Sequence, residues 1–250
     1  MKASHPTQAR RAARTLSEAP SRNLVMGLAG LAGLINAAGF HAIGHFSSHL
    51  SGTVAVFSDE VAGAQWSLAL LAVWVIVAFI LGAMVTALMM TRLRETHRPG
   101  RYARCLIVEA FLLVGVAAVD RFIAPGPEWL PGLSARLLLL VGGLSFLMGF
   151  QNAIVTQISH ARIRTTHVTG MITDIGVGLG QRLAHRLHPD WHIPSGFART
   201  PLMLHLMTVS AFIVGGVIGV IGYRWQGPGF LLLTAGAVLA VGLYDLKRRQ

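Results

Sequence analysis

A single cysteine, Cys105, occurs in the 250 residues. It has no second thiol in the chain to pair with, which excludes an internal disulfide framework and a cysteine-built zinc cluster. Charge is scarce as well. Charged side chains make up 12% of the chain, against roughly 25% in a soluble globular domain. Acidic residues are the rarer kind, ten against 21 Lys and Arg. There is no G-x-S-x-G elbow, and no carboxylate stands where it would orient a histidine base. A serine hydrolase built on Ser51 with His49 or His167 is therefore disfavoured, and the chain reads as a non-enzyme. The aromatic residues lie inside apolar runs rather than among the basic residues, so the net charge of +11 does not read as a nucleic-acid surface.

What is abundant is apolar sequence. Hydrophobic residues make up 53% of the chain and the mean hydropathy is +0.59, which places it among integral membrane proteins. Six runs are long enough to span: Leu24–Gly44, Trp66–Thr91, Cys105–Ile123, Leu133–Ile158, Leu202–Gly222 and Gly229–Leu246. Two shorter stretches, about Ser51–Ala62 and Thr169–Leu183, have helical character but fall short of the ~20 apolar residues a span requires. They read as half-inserted segments lining a cavity, with surface loop helices as the other reading. Residues 1–22 form a basic tail of disordered composition. With the run that follows it the tail resembles a signal peptide, but that run exceeds the usual ~7–15-residue core of one.

The basic residues set an orientation. Lys2, Arg10, Arg11, Arg14 and Arg22 precede the first run. Arg92, Arg94, Arg98, Arg101 and Arg104 lie between the second and third, and Arg162, Arg164, Arg182, Arg186 and Arg199 between the fourth and fifth. Lys247, Arg248 and Arg249 close the chain, leaving Arg121, Arg136 and Arg224 on the other side. Six spans with both termini cytoplasmic satisfy the positive-inside rule.

The halves echo each other. "AFILGAMV" (Ala78–Val85) recurs as "AFIVGGVI" (Ala211–Ile218), and "HLSGT" (His49–Thr53) as "HVTGM" (His167–Met171). Asn36 and Asn152 precede the two histidines, and Asp59 and Asp174 follow them. Each half reads as helix, polar motif, helix, helix. Three spans is an odd number, so the second unit, residues 133–250, enters from the side opposite to the first, residues 23–124. The expected architecture is all-α and membrane-integral, with six transmembrane helices as two inverted three-helix repeats, each carrying a short extra helix at its polar motif. Ser51 and Thr169 suit N-caps of the short helices, and Gly52 and Gly170 allow close backbone approach.

At these residues the chain resembles the YoaK family of bacterial inner-membrane proteins, also called DUF1275 or UPF0700. The resemblance is carried by "MGFQNA" (Met148–Ala153) and "RTTHVTGMITDIG" (Arg164–Gly176), and in the first half by "NAAGF" (Asn36–Phe40) and "SHLSGT" (Ser48–Thr53). It departs from the family pattern at Asn36, Ser51 and Thr53, where the family usually has Asp, Thr and Asn. The resemblance implies a bacterial inner-membrane location and a motif, and supplies no activity.

The expected function is a small secondary transporter or permease whose site lies between the two His-x-[Ser/Thr]-Gly motifs. Its candidate residues are Asn36, His49, Ser51, Gly52, Asp59, Glu109, Gln151, Asn152, Thr166, His167, Thr169, Gly170, Thr173 and Asp174. Glu109 has two readings, an interfacial carboxylate paired with Arg101 or Arg104 and a coupling carboxylate facing the bundle interior. Asp120 beside Arg121 reads as structural and near water, and His205 as interhelical. His41, His45 and His49, each four residues from the next, form a helical stripe that could ligate a metal, which is the alternative function; a non-transporting scaffold is another. His185, His188 and His192 read as a solvated basic loop. The partners expected are the bilayer, a small solute or ion, and a second copy of the chain in a homodimer, without nucleic acid and without a cofactor.

Overall fold

The computed structural model describes residues 22–44, 47–96, 100–124, 126–130, 132–158, 168–188, 190 and 202–248. The basic tail up to residue 21, with His45, Thr166, His167 and His192, lies outside them. Eight helices occur among the described residues: α1 (Arg22–Ile43), α2 (Leu50–Ala62), α3 (Trp66–Glu95), α4 (Arg101–Phe122), α5 (Ala135–Ile158), α6 (Val168–Leu187), α7 (Leu202–Gln226) and α8 (Pro228–Arg248). A short antiparallel hairpin, β1 (Glu128–Leu130) with β2 (Leu133–Ser134), separates α4 from α5. The run lengths did not foreshadow it.

Helices α1, α3, α4, α5, α7 and α8 are each long and apolar enough to cross a membrane. They follow the six apolar runs and extend several by a turn into the flanking polar sequence. The protein is an all-α integral membrane protein. Of α5's most apolar stretch 67% is buried, against 22–50% for the other five, so α5 is the central helix. α1 ends where Gly44 takes a left-handed conformation (φ 70°) and its N–H bonds the Phe40 carbonyl at 2.7 Å. The turn between α7 and α8 uses Gly227 (φ 56°) followed by Pro228 in the first helical position.

The helices pack in a patterned way. α1 packs chiefly on α7, α3 on α5, and α4 on α8, while α2 lies on α3 and α6 on α7. Exchanging α1–α4 with α5–α8 leaves this set of pairings unchanged. The same exchange holds at the level of atoms. A methyl group on Gly33 would fall on the Phe212 carbonyl, and one on Gly149 would fall on the Phe79 carbonyl. Gly82 abuts Phe146 as Gly215 abuts Gly30, and Gly219 abuts Leu34 where Thr86 donates to the Phe150 carbonyl at 2.9 Å. In each comparison α1 and α5 positions differ by 116 residues and α3 and α7 positions by 133. Small residues let these backbones approach, and dispersion contacts then hold helices together in lipid, where apolar burial gives no driving force between them.

At one end of the bundle Asp120 (side chain 2% exposed) joins three helices. Arg136 of α5 contacts its Oδ1 at 2.6 Å, and the Tyr223 hydroxyl of α7 donates to Oδ2. The sequence placed Asp120 near water; it is instead buried and paired with Arg136. A buried carboxylate requires such partners, and no run-length argument identifies a partner sixteen residues away.

Candidate functional site

The first motif sits where α1 hands over to α2. His49 occupies the N-cap position of α2 with non-helical dihedrals (φ −88°, ψ 65°) and makes no side-chain cap bond. Ser51 is thus one residue inside the first turn, not the N-cap its chemistry suggested. Gly52 lacks a side chain because the His49 imidazole lies over it; a Cβ there would fall on the ring. The Ser48 hydroxyl donates to Asn36 Oδ1 at 2.7 Å, tying the motif back to α1.

In the second half α6 opens at Val168, so Thr169 also lies inside the helix rather than capping it. α6 runs 20 residues, longer than the sequence pattern indicated. Thr173 spends its hydroxyl on the Thr169 carbonyl at 2.9 Å, within the helix.

Between the motifs lies an open cavity of about 720 Å³. The first motif contributes Ser48, His49, Leu50 and Ser51, and the second contributes Thr169. α3 supplies Phe79 and Ala83, and α5 supplies Gly149, Asn152, Ala153, Thr156 and Gln157. The wall sets these hydroxyls, amides and one imidazole among Leu50, Phe79, Ala83, Gly149 and Ala153, so most of its surface is apolar, and it has no carboxylate and no Lys or Arg among the described residues. Its volume suits a small solute of several heavy atoms.

Two smaller cavities share walls with it. One of about 290 Å³ is bounded by His49, Gly52, Thr53 and Glu60, with α3 residues behind. Another of about 280 Å³ is bounded by Gln157, Arg94, Arg101 and Tyr102. His49 therefore borders two cavities on one side and Gln157 two on the other, giving a series of three with the largest in the centre.

The remaining candidates are dispersed. Asp59 and Asp174 are exposed and do not line the central cavity. Asp174 instead stands 3.7 Å from His205 Nε2, with the imidazole buried in α7. Gly170 is half-buried in α6, outside the cavity lining. Gln151 and Glu109 are both completely buried away from the cavity. Glu109 makes no hydrogen bond among the described residues, which removes the reading that pairs it with Arg101 or Arg104. α4 begins at Arg101 rather than Cys105, so Glu109 lies a turn deeper than its apolar run implied.

The three-histidine stripe does not form. α1 ends at Ile43, so His41 and His49 belong to different helices, and His45 lies outside the described residues. No group of three metal-ligating side chains occurs among the described residues.

Phe79, Thr156 and Gln157 were not anticipated. A signal for Thr156 was present: Gly149, Asn152, Ala153 and Thr156 follow the i, i+3, i+4, i+7 spacing of one helix face, small and polar within an apolar helix.

A bundle with six apolar spans and two shorter helices at its polar motifs is a multi-pass membrane protein. A family model described as "Protein of unknown function (DUF1275)" matches residues 24–244, and the chain belongs to this family. It is similar to the "UPF0700 transmembrane protein YoaK" of Bacillus subtilis (strain 168), with 23% identity over 201 residues covering 80% of this chain and 85% of that protein. No solved structure matches the chain.

Proposed function

We propose that the protein is a small secondary transporter of the bacterial inner membrane, with both termini cytoplasmic, working in a homodimer. Its solute site is the central cavity. One observation carries this reading: one cavity with polar groups in its wall is bounded by His49 and Ser51 of the first motif and by Thr169 of the second, from opposite halves of the chain. The flanking cavities that share His49 and Gln157 support a route through it.

The two halves act as inverted repeats in this reading. The reciprocal glycine contacts of α1 on α7 and α3 on α5 support it, since a pseudo-twofold axis in the membrane plane would relate one interface to the other. Rocking one repeat against the other exposes the cavity alternately to each side. Eighteen of the 21 basic residues then face the cytoplasm, which puts the Arg94 and Arg101 cavity at the inner end and the Glu60 cavity at the outer end.

The test is solute movement by purified protein in liposomes, screened over small polar solutes with and without a pH gradient. Uptake that is lost on Asn152→Ala supports the reading. A panel in which no solute moves, or uptake indifferent to every cavity substitution, counts against it.

A further inference from the structure

The central cavity leaves unexplained a second polar feature buried in the bundle. Glu109 of α4 is 0% exposed, and neither carboxyl oxygen meets a hydrogen-bond partner among the described residues. Gln151 of α5 is equally buried, and its amide oxygen and nitrogen are both unpartnered there. Buried polar groups are nearly always hydrogen-bonded, because leaving one unmet costs several kcal/mol on the order of its desolvation.

The two groups lie at one depth. Asp120 pairs with Arg136, and a Cβ on Gly143 would stand 3.1 Å from Val116 Cγ2, so α4 and α5 run antiparallel in a defined register. Continuing that register brings Glu109 level with the turn of α5 that holds Gln151. On α5, Gln151 adjoins Asn152 in the chain, and Asn152 lines the cavity.

What surrounds Glu109 is uncharged. α4 packs on α8, α5 and α3. The ionisable groups of α8 (Tyr244, Asp245, Lys247, Arg248) and α3 (Arg92, Arg94, Glu95) sit in their last turns, and α5 carries Arg136 alone, at its opposite end. On α4 itself the buried thiol of Cys105 is one turn away, and Arg101, Tyr102 and Arg104 stand in the first turn of the helix. With no cation beside it, an ionised carboxylate here has no counter-charge, whereas the neutral acid carries its proton as its own neutralising partner.

We propose that Glu109 is a proton-binding site, holding one exchangeable proton inside the bundle. This deepens the transporter reading by naming the coupled ion as a proton. The carboxyl O–H gives its proton to water admitted when the repeats move, leaving a carboxylate, and takes a proton back from the other side.

The experiment is labelling by dicyclohexylcarbodiimide, an apolar reagent that reacts with protonated carboxyls in a bilayer. The acid's proton passes to a carbodiimide nitrogen while a carboxyl oxygen adds to the central carbon; nothing leaves, and migration to nitrogen fixes the adduct. Protein in liposomes is labelled across a pH series and the modified peptides are identified by mass spectrometry. The expected result is an adduct at Glu109 that falls several-fold from mildly acidic to alkaline pH, is absent in Glu109→Gln and is retained in Glu109→Asp. An unlabelled Glu109, or an adduct independent of pH, overturns the proposal, the latter because it describes a permanently sealed acid. The wild-type titration suffices if the variants fail to fold. No solute is involved, so failure here is separate from failure of the uptake assay.

Discussion

The Ser48 hydroxyl donates a 2.7 Å hydrogen bond to the side-chain carbonyl of Asn36, twelve residues earlier on α1. Asn36 is buried, so the bond both satisfies a polar group and anchors the first motif. Asn36→Ala and Ser48→Ala are each expected to lower stability by about 1 kcal/mol. The double variant should lose little more than either single one. Thermal unfolding in detergent measures this, and fully additive losses would show that the two side chains do not act as a pair.

The glycine crossings set a steric prediction. Gly33→Val and Gly149→Val each drive a side chain into a facing carbonyl, at Phe212 and Phe79 respectively, and are expected to disrupt the bundle. Gly236→Ala meets nothing within 4 Å and is expected to fold normally. Overpacking of this kind costs ~1–3 kcal/mol or more. Yield of monodisperse protein after extraction separates the outcomes; equal tolerance of all three substitutions would contradict the close approach.

The Asp174 and His205 pair joins α6 to α7 at 3.7 Å, but the Asp174 side chain is 59% exposed. Solvent screens such a pair, so a double-mutant cycle of Asp174→Asn and His205→Gln is expected to return a coupling below about 1 kcal/mol that shrinks in salt. A coupling well above that, insensitive to salt, would mean that the pair is closed off from water.

For the cavity, Asn152→Ala and Thr156→Val should each reduce solute uptake about tenfold, equivalent to about 1.4 kcal/mol, while Asp59→Asn should leave it unchanged. Asp59 is the informative control. It has a repeat partner in Asp174, yet does not line the cavity. Uptake that depends on Asp59 and not on Asn152 would move the site elsewhere.

Orientation is checked by reporter fusions. Alkaline phosphatase, active outside the cytoplasm, should be active when fused after Ala64 and inactive when fused at Gln250. The reverse pattern would invert the assignment and exchange the inner and outer cavities.

Much of this protein was legible in one dimension. The six spans and both short helices were visible as apolar runs of different length, because a helix that crosses a bilayer must satisfy its backbone internally over about 20 residues. The echo of "HLSGT" in "HVTGM" marked two stretches that the fold brings to one cavity. Three readings failed for a shared reason. The histidine stripe assumed one continuous helix, whereas Gly44 ends α1. The capping roles of Ser51 and Thr169 assumed helix starts that fall one residue earlier or more. Asp120 was placed near water, whereas it is buried against a partner across the bundle.

Length and hydropathy along the chain thus determined by themselves that this is a helical membrane protein with six candidate spans, since those depend on each segment's own contact with lipid. Only the tertiary structure decided which polar residues meet. Thr156 and Gln157 joined the cavity with Asn152, while Asp59 and Asp174 stayed outside it and Glu109 was sealed among apolar helices. Which face of a helix meets a neighbour depends on how close small residues let two backbones come, as at Gly33 and Phe212, and that is a property of pairs of helices distant in sequence.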